Sequence, residues 1–313
     1  MVNHFFKRLL FGFGLRYEYG RIISVGTKEH NYQSSISTIE EGNDRIREVL
    51  KKGTPALIAR IGATELNTIL FYLHNKWKLK INWPESMVLE IWQQSGIFSK
   101  TNNSLSNFAK QYLDAIAMTD VMGVWYNTGE DSIINKYCPN AQLIPLKSIE
   151  PYFFKNPWSK VLKDKKVCVI HPFEDSINEQ YFKNRENLFF DKDVLPPFHL
   201  INIKTIQAQV FTETSFQSWE EILDDLKTRI SKSDFDIAII GAGGYGLLIG
   251  AYIKSIGKIA IHMGGATQIL FGIKGKRWED LPEFNELFNE KWKYPFESEK
   301  PANFKKLEDG AYW

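Results

Sequence analysis

Cysteine is almost missing from this chain. Cys138 and Cys168 are its only two, too few for a disulfide framework or a cysteine-built zinc cluster, and Cys168 sits inside the apolar run from Val167 to Ile170. That usage suits a reducing cytoplasm. Long apolar runs are lacking too, and no stretch approaches the roughly 18 residues of a membrane span. Charge of one sign is equally scarce: 39 Lys and Arg stand against 37 Asp and Glu, a net charge of +2. No segment interleaves basic and aromatic residues as a nucleic-acid groove would, so nucleic acid is not an expected partner. What the chain does have is 43% hydrophobic and 24% charged residues over 313 positions, enough for one large α/β domain or two fused halves.

Residues 1–35 form a basic, aromatic start. Lys7 and Arg8 split its apolar residues and spoil a signal-peptide core. Phe5, Phe6, Leu9, Leu10, Phe11 and Phe13 beside Lys7, Arg8, Arg16 and Arg21 leave two readings open: an amphipathic segment of residues 1–21 lying peripherally on an anionic membrane, or a segment packed on its own domain or a partner subunit.

Beyond it, periodicity predicts alternating helices and strands. Ser37 and Glu40 have capping-box spacing before an amphipathic helix that ends at Gly53. Strands are expected at 56–61, 121–125, 142–146, 166–170 and 199–203, and helices near 65–73, 85–94, 104–117 and 219–230. The segment 150–158, rich in proline and aromatics, reads as a connector between halves at 36–149 and 159–280, with 281–313 as a tail. Such alternation predicts a doubly wound, mainly parallel, Rossmann-like sheet in a single large domain.

The most informative stretch runs from Ser233 to Gly265: strand, glycine turn, helix, strand and second glycine turn. Gly241, Gly243, Gly244 and Gly246, with a helix starting near Tyr245, have the spacing of a backbone phosphate cradle. The same spacing fits a dinucleotide fingerprint, but the acidic residue expected about twenty positions on is replaced by Ile261, His262 and Met263. A nucleotide phosphate, a purely structural tight turn, and an NAD, FAD or S-adenosylmethionine site all remain open.

Four further clusters follow predicted strands, at the sheet edge where open α/β folds keep their ligands. Arg60, Gly62 and Glu65 offer a grip for a diphosphate, or a helix-dipole carboxylate beside its counter-ion. His171 and Glu174 offer a general base for an acceptor hydroxyl, or a helix cap. Asn127 to Asp131 reads as a turn and cap. His262, Gly264, Gly265, Thr267 and Gln268 are followed by Lys274, Lys276 and Arg277, a set able to bind an anionic leaving group or to form a solvated basic loop. Trp278 either stacks on a sugar or packs.

At these residues the chain resembles the GT-D-fold glycosyltransferases of bacterial surface-polysaccharide and glycoprotein assembly. Arg60, Gly62 and Glu65 match their first-half motif, Arg-aromatic-Gly-Asp-Gly-Glu, and Asp236 to Gly264 looks like their last βαβ unit. The resemblance spans roughly residues 36 to 270. It implies a GT-D-like domain, a nucleotide-sugar donor with UDP-sugars foremost, and a bacterial cell-surface glycan as acceptor. Arg60, Gly62 and Glu65 would hold the donor's sugar or phosphate. One position departs: the family's Asp-x-Glu is Ala63-Thr64-Glu65 here. Ala63 supplies no oxygen to Mn²⁺ or Mg²⁺, so no metal ligand is assigned. Rival readings are a non-catalytic nucleotide-sugar or glycan-binding subunit and a Rossmann-type NAD or S-adenosylmethionine enzyme.

Overall fold

The computed structural model describes residues 15–18, 21–24, 30–98 and 104–313. Strands β1 (Leu15–Glu18) and β2 (Arg21–Ser24) form an antiparallel hairpin. The remainder of the basic, aromatic segment for which the sequence leaves membrane contact and packing both open, 1–14 and 19–20, lies outside the described residues. Helix α1 (Ile39–Lys52) begins with a capping box one position later than the sequence spacing suggested: Thr38 and Glu41 bond each other's backbone, and Gly53 closes the helix at φ 68°.

In chain order there follow β3 (Ala56–Arg60), α2 (Ala63–Asn75), α3 (Glu85–Ser95), α4 (Ser104–Ala117), β4 (Val121–Val124), α5 (Glu130–Tyr137) and β5 (Gln142–Pro145). The second half holds β6 (Lys166–His171), α6 (Glu174–Glu179), α7 (Arg185–Leu188), β7 (His199–Lys204), α8 (Trp219–Ser231), β8 (Ile237–Ile240), α9 (Gly246–Ser255) and β9 (Ile259–His262). Strands β3 to β9 make one sheet of order β5-β4-β3-β9-β8-β6-β7, with every neighbouring pair parallel. The fold is therefore α/β with a doubly wound parallel sheet, as the alternation of elements predicted. Its two halves meet at a central seam where Ala56 lies opposite Ile259 and Ile58 opposite Ile261.

Helices cover both faces, and for that reason the strands read as continuous apolar runs rather than alternating ones. Side chains of successive strand residues go to opposite core layers. Leu57, Cys168, Ala238 and Ile240 join one layer with α2, α4, α8 and α9. Ile58, Val169, Ile239 and Ile261 join the other, together with Phe284, Trp292, Leu307 and Trp313. Residues 281–313 are thus no loose tail: they roof one face of the sheet. No helix among the described residues is long and apolar enough to cross a membrane.

Candidate functional site

A cleft opens at the carboxyl edge of the sheet, beside the seam. Eleven of the residues singled out from sequence line it: Arg60, Gly62, Glu65, His171, Gly241, Gly243, His262, Gly264, Gly265, Gln268 and Arg277. A doubly wound sheet keeps its crevice at this edge, and here the chain leaves β3 into one core layer, with Leu66 and Ile69, and leaves β9 into the other, with Ile269 and Leu270. The enclosed part measures about 120 Å³. That is below the roughly 300–1,000 Å³ of pockets that engulf a whole drug-sized ligand, so it has room for one end of such a molecule and not for the whole.

Arg60 ends β3 and stands at the centre. Its guanidinium lies over the Trp125 ring, 4.4 Å from the centroid. On another side is Gly264, at φ +66°, where a side chain's Cβ would sit 3.4 Å from the guanidinium carbon. The Arg60 Nε is buried and has no hydrogen-bond partner among the described residues. An arginine stacked and held in this way is a preformed, planar donor for an oxyanion. Gly62 then starts α2, and Glu65 in its first turn folds back over the space a Gly62 side chain would fill. The Gly62 N–H donates to the Tyr112 hydroxyl, whose ionisation is suppressed first by burial and then by the neighbouring Glu65. Among the described residues Glu65 is the only one lining the cleft with a carboxylate side chain.

Two histidines border the site, both uncharged at neutral pH because burial pushes each down to about 3. The His262 ring donates to the Arg60 carbonyl, fixing the backbone from which the guanidinium projects. His171 accepts the Phe173 N–H at its Nδ1, 3.1 Å away. A neutral ring bonded that way carries its proton on Nε2. His171 therefore presents a donor and not the general base expected of it. Glu174, the other expected base, is half-buried on the first turn of α6 and does not line the cleft; the charges around its carboxyl are those of Lys204, Asp175, Arg229 and Glu299.

The glycine turn after β8 also differs from expectation. At Gly243, φ +52°, an added Cβ would come within 2.8 Å of the Gln209 Nε2 and 2.9 Å of the Ser95 carbonyl oxygen. At Gly244 it would come within 2.7 Å of Ile97, and at Gly246 it would overlap the His262 ring. Tyr245 is buried and its hydroxyl donates to the Gly96 carbonyl at 3.0 Å. These clearances are filled by the protein itself, so Gly244, Tyr245 and Gly246 pack the turn and only Gly241 and Gly243 reach the cleft.

The basic segment splits in the same manner. A short helix starting at Lys276 turns successive side chains by about 100°, sending Lys276 outward to Asp309 and Arg277 inward. Arg277 pairs with Glu308, donates to the Tyr312 hydroxyl at 2.9 Å and lies 4.6 Å from that ring's centroid. Lys274 sits over Phe288 instead. Thr267 is buried behind Gly241 with no partner for its Oγ1 among the described residues, Gln268 is anchored to the Lys274 and Tyr312 carbonyls, and Trp278 is a core residue.

Sequence reasoning missed Trp125, Tyr112, Gln207, Gln209 and the C-terminal Tyr312, all of them lining residues. It also read Glu130 as a turn residue. In the structure Glu130 is fully buried and its Oε2 accepts from the Trp125 N–H at 2.9 Å, the Tyr126 N–H at 2.7 Å and the Tyr32 hydroxyl at 2.9 Å. Burial, outweighing those donors, pushes its carboxyl up to about 7. This clamp holds Tyr126 at φ +59° and, through the same loop, sets Trp125 against Arg60. The signal available in the sequence was an aromatic residue directly after a strand at the ligand edge.

No group of three or more His, Cys, Asp or Glu among the described residues comes together to hold a metal, so a divalent ion in this cleft would rest on Glu65 and on oxygens brought by a ligand.

No family profile matches the chain, and no curated protein matches it. Two solved structures are similar to it at low identity. One, described as "The highly conserved domain of unknown function 1792 has a distinct glycosyltransferase fold", is 12% identical over 84% of this chain and 96% of that chain, with a TM-score of 0.35. The other, a selenomethionine-substituted structure of domain of unknown function 1792, is 14% identical over the same shares, with a TM-score of 0.33. Likeness at this level transfers no residue roles.

Proposed function

We propose that the protein is a glycosyltransferase moving a sugar from a nucleotide-sugar donor, a UDP-sugar foremost, to a glycan acceptor of the bacterial cell surface. The observation that carries this reading is the stacked Arg60 guanidinium, its buried Nε lacking a partner among the described residues, in one cleft with Glu65 and Arg277. Sugar transfer needs those charges together. An acceptor hydroxyl oxygen forms a bond to the anomeric carbon as the bond from that carbon to the diphosphate oxygen breaks. Negative charge grows on the departing diphosphate, and preorganised cations stabilise it most where water is excluded. Arg60 and Arg277 take that role, with the His171 Nε2–H and the backbone around Gly264 as additional donors. Glu65 takes the acceptor's proton.

Supporting a transferase over a Rossmann oxidoreductase or methyltransferase is the glycine turn, whose clearances are filled by Gln209, Ser95 and Ile97 rather than left for a pyrophosphate. A thermal-shift screen of nucleotide sugars, paired with an assay for released nucleoside diphosphate, tests the proposal. The expected result is a rise in melting temperature with at least one nucleotide sugar, lost in Arg60→Ala. Stabilisation by NAD or S-adenosylmethionine alone, or binding without turnover across acceptors, would overturn it.

A further inference from the structure

A second cavity of about 570 Å³ adjoins the cleft and opens beside the end of β7. The two share one residue, Gln207. Its Nε2 donates to the Glu299 carbonyl at 2.7 Å, which fixes the amide, and its Oε1 is buried with no donor among the described residues. The junction therefore offers a rigid acceptor that a ligand O–H would satisfy.

The wall of this groove carries the hydroxyls of Thr205, Thr214, Ser215 and Ser298 beside the Phe216 ring. Its three cations are each already paired: Lys204 with Asp175 at 3.6 Å, Arg229 with Asp225 at 2.8 Å and Lys300 with Glu297 at 2.6 Å. With the carboxylates of Glu213, Asp225 and Glu299 also in the lining, the groove's charges balance and present no net attraction to a phosphate or an acidic chain. Short hydroxyl side chains, one aromatic face and neutralised charge suit a ligand that is itself uncharged, rich in hydroxyls and apolar on the faces of its rings.

We infer that this groove binds a neutral oligosaccharide whose terminal hydroxyl reaches past Gln207 into the cleft. The inference rests on the transferase reading for its placement of acceptor beside donor, and it adds a site and a ligand class to that reading. Strand geometry supports the alignment, since the Thr205 N–H at the groove's edge donates to the carbonyl of His171, which lines the cleft, at 3.3 Å.

The test uses the full chain and a panel of uncharged tri- to hexasaccharides of hexoses, N-acetylhexosamines and deoxyhexoses, screened by saturation-transfer NMR and titrated by calorimetry. Phe216→Ala removes the ring, and Ser298→Trp fills the groove from an exposed position that bears little on folding. At least one oligosaccharide should bind the parent, and both variants should weaken it tenfold or more while nucleoside diphosphate binds as before. An oligosaccharide that binds Ser298→Trp unchanged, or a panel without a binder, overturns the groove. The two readings fail separately. Saccharide binding without any nucleotide-sugar binding would sink the transferase and leave the groove standing; nucleotide-sugar turnover with a silent panel would do the reverse.

Discussion

At the scale of single residues, Glu65 is the sharpest case. Glu65→Gln keeps the volume over Gly62 and removes the only carboxylate side chain among the described cleft-lining residues. Transfer should fall at least about 100-fold, as expected for loss of a positioned general base, with the melting temperature within a few degrees of the parent. Full turnover in that variant would return Glu65 to the role of a helix-start charge worth under about 1 kcal/mol. The scarcity of carboxylate side chains in the cleft predicts turnover without a metal: activity should survive excess chelator, and a dependence restored by Mn²⁺ would mean that Glu65 shares an ion with the donor's phosphates. Glu130 makes a different prediction. Its folded carboxyl titrates near 7 against an ordinary value of 4.5, so between those values the folded protein holds a proton that the unfolded chain has released. Stability from this group is present at low pH and is lost as pH rises through that window, by on the order of 3 kcal/mol. His171 and His262 act in the opposite direction, costing stability as pH falls below about 6.5, because their folded values are depressed. Urea denaturation of Glu130→Gln at pH 5 and pH 8 should show a gain relative to the parent that grows with pH; an unchanged difference would place the titration elsewhere. Which residues of this site were legible follows a simple division. Those at the last positions of strands, Arg60, His171 and His262, were found because strand ends mark the ligand edge. Tyr112, Gln207 and Tyr312 were not, because they arrive from a helix and two loops whose placement depends on packing.

At the scale of elements, the strands and long helices were legible because each buries a continuous or periodic apolar set. The β8 run of Ile237, Ala238, Ile239 and Ile240 is buried throughout, and α1 has its caps written in Thr38, Glu41 and Gly53. Less legible was the purpose of the glycine turn between β8 and α9. Glycine spacing reports that something approaches closely, and it does not say whether the visitor is a phosphate or a neighbouring helix. Here Ser95 at the end of α3 and Ile97 just beyond it fill the place. Gly244→Val, expected from sequence to injure nucleotide binding, should instead push α3 away from α9 and cost roughly 1–3 kcal/mol of folding stability by overpacking. Chemical denaturation measures this directly. A variant of full stability that had lost only its affinity for nucleoside diphosphate would restore the phosphate reading. The four-residue helices at Arg185–Leu188, Thr267–Leu270 and Lys276–Glu279 fell below what periodicity can resolve, since fewer than two turns give no repeating face.

At the scale of the whole molecule, the last thirty residues belong to the fold. Phe284, Trp292, Leu307 and Trp313 are 1%, 4%, 1% and 9% exposed. At about 1.5–3 kcal/mol for each large side chain buried, their removal takes away an amount comparable to the whole stability of a domain, about 5–15 kcal/mol. A chain ending at Asp280 should be recovered unfolded or aggregated, and a cooperative melt from it would refute this account. The central seam bears on how the molecule comes into being. Strand β3 belongs to the first fifth of the chain, and β9, its neighbour in the middle of the sheet, arrives only when most of the rest has been made. During synthesis β3 therefore waits with one flank unpaired, a template for other strands. Closure of such distant contacts is slow. Because Arg60 rides on β3 and His262 on β9, the same closing step that removes the hazard also brings the two sides of the cleft together, so no shorter nascent form carries a complete site.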